Sequence, residues 1–74
     1  MITSTNIKTI IKNNPNTIFT VHPKYTGDVT AKCKYVDSLG SITTLVNIET
    51  NKKYHILRGH MKYVNVKKIN SYGK

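Results

Sequence analysis

Seventy-four residues with 38% apolar content are enough for one small domain with a barely sufficient core, and too few for a multidomain assembly. Twelve Lys and Arg against three Asp and Glu give a formal charge of +9, which favours a polyanionic partner, with nucleic acid ahead of an acidic protein surface and an anionic membrane last. No stretch approaches the ~20 apolar residues of a spanning helix, and so few carboxylates leave little material for acid/base catalysis.

The first pattern is helical. Ile7, Ile10 and Ile11 fall at i, i+3 and i+4, with Lys8 and Lys12 on the opposite side. Ser4 or Thr5 supplies an N-cap hydroxyl, and Asn13-Asn14-Pro15 stops the helix because the residue before a proline is driven out of the helical region. Thr17 to His22 follows as a strand with Phe19 and Val21 pointing inward, and Pro23 ends it. Pro23 to Gly27 reads as a loop centred on Tyr25, where the ring could meet a ligand.

Asp28 to Ile48 reads as a β-hairpin. Val29, Ala31, Cys33 and Tyr35 recur with period two on one face, and Lys32 and Lys34 lie on the other. A four-residue turn, Asp37-Ser38-Leu39-Gly40, would pair Tyr35 with Ile42, Cys33 with Thr44, Ala31 with Val46 and Val29 with Ile48. Thr50-Asn51-Lys52 makes the next turn, with Asn51 in a left-handed conformation, and would set Ile48 opposite Tyr54 and Val46 opposite Ile56. Lys53 to Leu57 is then the fourth strand. Arg58-Gly59-His60 is a tight connector, Met61 to Ile69 the fifth strand, and Asn70 to Lys74 a frayed tail.

One helix followed by five short strands predicts a mostly β chain folded as a single small barrel domain over residues 1–74. The strand pattern from Ile18 to Ile69 resembles the small SH3-like barrels of KOW and Tudor type, with a central three-stranded meander and a one-turn connector before the last strand. The resemblance rests on strand spacing. Neither the glycine-containing KOW hairpin signature nor a Tudor aromatic cage is present. An OB-like barrel is the alternative arrangement.

Asp28, Asp37 and Glu49 all fall at turns or strand ends and form no acid/base pair, so no enzymatic activity is expected. Cys33, the single cysteine, occupies the inward face of a strand and behaves as a small buried hydrophobe. It cannot form an internal disulfide, and the N-terminal residues lack a signal-peptide apolar run, so a cytoplasmic location is expected. Cys33, His22, His55 and His60 lack zinc-site spacing, and no metal or other cofactor is expected.

The basic residues are better organised. Lys32, Lys34, Lys53, Arg58, His60, Lys62, Lys67 and Lys68 lie on predicted strands and connectors, with Tyr25 and Tyr63 interleaved as stacking rings. Arg58 is the only arginine, and its fork can grip phosphate in a bidentate way. The expected function is nucleic-acid binding, to DNA or RNA, through the phosphate backbone with low sequence selectivity, by a monomer or small homo-oligomer. The alternative is a small phage-type inhibitor or modulator that docks its basic face on an acidic surface of a host protein. The Lys-, Asn- and Ile-rich composition, which AT-rich coding produces, is in keeping with such an origin.

Overall fold

The computed structural model describes residues 3–67. It is mostly β: five antiparallel strands form one sheet, and a helix packs on its inner face. The elements are α1 (Ser4–Asn13), β1 (Ile18–Val21), α2 (Pro23–Thr26), β2 (Ala31–Leu39), β3 (Ile42–Asn47), β4 (Lys53–Leu57), a 3-10 helix (Arg58–Tyr63) and β5 (Val64–Lys67). Strand order is β4-β3-β2-β1-β5, which leaves β4 and β5 as the two edges. The sheet is therefore open, where a closed barrel was expected. The expected tail at 70–74 and the end of strand five at Ile69 lie outside the described residues.

Thr3, one residue earlier than expected, caps α1, its hydroxyl accepting the Asn6 amide at 3.1 Å. Asn14 closes the other end by donating to the Ile10 carbonyl at 2.9 Å. The helix lays Ile7, fully buried, onto the sheet, with Ile10 and Ile11 at its margin. Phe19 and Val21 of β1, Ala31 and Cys33 of β2, Leu45 of β3, Ile56 of β4 and Val64 of β5 fill the same core from the sheet side, and Met61 reaches it from the 3-10 helix.

The central hairpin departs from the sequence reading in register. β2 continues through Leu39, and only Gly40 and Ser41 turn the chain, so that Leu39 opposes Ile42 and Ser38 opposes Thr43. Gly40, at φ +60°, takes the first central position, as in a type II′ turn, whose twist suits two antiparallel strands better than a four-residue loop. A bulge between Tyr35 and Asp37 then resets the register, leaving Val36 unpaired and setting Tyr35 against Leu45. The consequence is a change of face along β3. Thr43, Leu45 and Asn47 point inward, whereas Ile42 and Val46, expected inside, lie on the outer face.

Asn47 is buried because its side chain works on the backbone: Oδ1 accepts the amides of Glu49 at 2.8 Å and Thr50 at 3.2 Å. That turn ends β3 before Ile48, which is left 37% exposed, and pairs Val46 with Lys53 rather than with Ile56. Asn51 has φ +63°, the left-handed conformation expected of it. Val29, expected in the core, is 69% exposed because β2 begins only at Ala31. Pro23 to Gly27 is a short capped helix instead of a loop, and the 3-10 helix runs on through Tyr63, so strand five starts at Val64 rather than Met61.

The turn assignment carries a prediction. A Cβ at Gly40 meets nothing within 4 Å, so Gly40→Ala should cost only the backbone strain of its positive φ, about 1–2 kcal/mol in urea unfolding. A neutral result would remove Gly40 from the positive-φ position.

Candidate nucleic-acid interface

The antiparallel registers arrange the outer face in rows that run across the strands. Lys67 on β5 pairs with Ile18 on β1. Ile18, one step along from the Phe19–Cys33 pair, neighbours Lys34 on β2. Lys34 pairs with Val46 on β3, and Val46 with Lys53 on β4. Three lysines from three strands thus share one row, separated by Ile18, which is buried, and Val46, which is half-buried. At ~4.8 Å between strands the row spans about 19 Å. The next row holds Lys32 beside Thr20 and Asn65. Lys32, Lys34, Lys53 and Lys67 are all exposed.

Beyond the lysine row along β2–β4 comes a row with one carboxylate, Asp37–Thr44–His55, in which Thr44 Oγ1 lies 3.0 Å from His55 Nδ1. At the hairpin end Leu39, Ile42 and Leu57 form a last row. They are 74%, 39% and 47% exposed, which is unusual for three apolar side chains in direct cross-strand contact. The face therefore grades from basic through polar to aliphatic.

The other predicted residues gather elsewhere, where α2 meets the 3-10 helix. Tyr25 and His60 have ring centroids 5.8 Å apart, and His60 and Tyr63 are 6.1 Å apart. His22 joins at 6.2 Å from Tyr63, and Lys62 Nζ sits 5.3 Å from the Tyr63 centroid. Arg58 opens the same 3-10 helix. Several of these groups are committed to the fold. The His22 main-chain amide donates to the Tyr63 carbonyl at 2.8 Å, and its Nδ1 accepts the Lys24 amide at 3.0 Å to cap α2.

Tyr25, expected as a stacking ring, is partly buried, and its hydroxyl donates to the His55 carbonyl on the outward side of the β4 edge. It joins α2 to the last strand of the meander, and burial raises its pKa above the ordinary tyrosine value. Tyr25→Phe should cost about 1 kcal/mol in urea unfolding with the fold retained. Unchanged stability would show that this bridge contributes nothing.

The expected set therefore divides in two. Lys32, Lys34, Lys53 and Lys67 share the outer sheet face, while Tyr25, Arg58, His60, Lys62 and Tyr63 sit on α2 and the 3-10 helix; Lys68 lies outside the described residues. Sequence alternation does not reveal the aliphatic row, because it places Leu39 in the turn and Ile42 in the core, whereas the two pair across the strands. A shallow depression of about 300 Å³ between the α2–β2 and β3–β4 loops adds nothing to the basic face, since Asp28 and Lys52 bring opposite charges to it.

Burial pushes the Cys33 thiol up to about 11, which keeps it protonated and unreactive at neutral pH. Among the described residues no three of His, Cys, Asp and Glu come together as metal ligands, and no helix is long and apolar enough to cross a membrane. No family model, curated protein or solved structure matches the chain.

Proposed function

We infer that this chain is a small, non-enzymatic nucleic-acid-binding protein that holds backbone phosphates on the outer face of its sheet with low sequence selectivity. The observation that carries the reading is the row Lys67–Lys34–Lys53 with Lys32 beside it, drawn from β5, β2 and β4 by the cross-strand registers. Four cations on a rigid sheet can meet several phosphates at once. Ammonium groups position a backbone without reading bases, which is why selectivity is low. Lys62 beside the Tyr63 ring, with Arg58 at the start of the same 3-10 helix, provides a second, smaller anchor.

An SH3-like arrangement fits this use. Support comes from the strand order, from the 3-10 helix that carries the chain from one edge strand to the other, and from the Tyr25 bridge between α2 and the β4 edge. The cytoplasm is the matching compartment, where a lone thiol stays reduced.

Titration of labelled duplex and single-stranded oligonucleotides by fluorescence anisotropy tests the reading. Binding should be similar across unrelated sequences. Its log–log salt slope on duplex should be about −3 to −4, reflecting roughly four phosphate contacts. Absence of binding at low salt overturns the reading and transfers the basic face to an acidic protein surface.

A further inference from the structure

The outer face places its aliphatic row on the same surface as its lysine rows, and a purely electrostatic phosphate clamp has no use for it. Leu39 and Ile42 flank the two-residue turn as a fixed cross-strand pair, and Leu57 stands next to Ile42 on β4. From Val46 to Ile42 is four residues along β3, about 13 Å, or roughly four base-pair steps from the lysine row. We propose that this row is a wedge that unstacks a step of duplex DNA while the lysines hold the flanking phosphates, so that binding bends the duplex.

The proposal rests on the nucleic-acid reading above and narrows it to a duplex. Two features of the face point there. Single strands are held by aromatic platforms on which successive bases stack, whereas among the described residues the rows of this face carry Leu, Ile and Val and no Phe, Tyr or Trp. Aliphatic side chains suit the other use, insertion between base pairs from the minor groove, which kinks the duplex. The sheet is also too broad to enter a major groove ~12 Å wide, which admits only a helix or a two-stranded ribbon. Charge complementarity selects the same occupant, because lysines on three strands share the face with the wedge.

A short duplex carrying a fluorescence energy-transfer pair at its ends reads the bend, and anisotropy on the same duplex reads binding. Wild-type protein should raise transfer efficiency on saturation. Leu39→Asn/Ile42→Thr should bind with an unchanged salt slope and leave the duplex close to straight. Leu39→Ala, at a largely exposed position, serves should the double variant fail to melt cooperatively, and should give a reduced bend. Wild-type binding without any change in transfer overturns the wedge and leaves the phosphate reading intact. Absence of wild-type binding overturns both. Equal bending by wild type and variants also overturns the wedge. So does a straight duplex together with Leu39-dependent capture on phosphatidylserine-containing vesicles, which would give the aliphatic row to a membrane surface instead.

Discussion

Phe19→Ala should leave the protein unfolded, or close to it, at physiological temperature. Phe19 is completely buried, faces Cys33 and Val66 across the two ladders of β1, and is among the core residues that α1 covers. Truncating a buried phenylalanine costs about 3–5 kcal/mol through lost transfer energy and an unfilled cavity. A domain of this length has about 4–11 kcal/mol in total, at 0.05–0.15 kcal/mol per residue. Circular dichroism should show the cooperative melt lost or shifted strongly downward. Val46→Ala provides the contrast. Val46 points to the outer face and is only partly buried, so its loss should cost about 1 kcal/mol or less. If Val46→Ala were the more damaging change, the register of β3 would be inverted.

The second large effect concerns binding. Replacing Lys32, Lys34, Lys53 and Lys67 together by alanine removes every lysine from the two basic rows while leaving the core untouched. Each phosphate neutralised on duplex DNA contributes about −0.9 to the salt slope. Four contacts therefore account for a slope of roughly −3.6, and for between three and four orders of magnitude in affinity at 0.1 M salt relative to 1 M. The quadruple variant should lose most of that affinity on all sequences alike. Its melting temperature should fall little, since exposed lysines contribute little to stability and removing like charges relieves repulsion.

Much of the strand inventory was legible from alternation, but the register was not. Val21, Ala31 and Cys33 stand singly among polar residues, which leaves one choice of face, whereas Phe19 and Ile56 each adjoin another apolar residue and take their face from the alternation with Val21 and Tyr54. From Ile42 to Ile48 the run Ile-Thr-Thr-Leu-Val-Asn-Ile offers apolar residues at both parities. There the face was decided by Gly40 in a two-residue turn and by a bulge that alternation cannot reveal. Asn47 was invisible as a buried residue because its burial depends on two backbone amides it caps. Of the candidate site, the outward direction of Lys32 and Lys34 followed from local pattern alone. That Lys67 and Lys53 join Lys34 in one row depends on long-range pairing through β1 and β3, which no local pattern carries. The clustering of Tyr25 with His60 likewise arises from the crossing of the 3-10 helix to the far side of the sheet.

The claim that one face holds the nucleic acid is tested most directly by a charge-matched pair of salt titrations on the same labelled duplex. Lys34→Ala/Lys53→Ala removes two cations from the outer row. Lys8→Ala/Lys12→Ala removes two from the exposed side of α1. Net charge changes equally in both. The outer-row variant should flatten the slope by about 1.8 units and the α1 variant by almost nothing. Equal flattening by the two variants would contradict a defined face and leave only a diffuse cloud of charge.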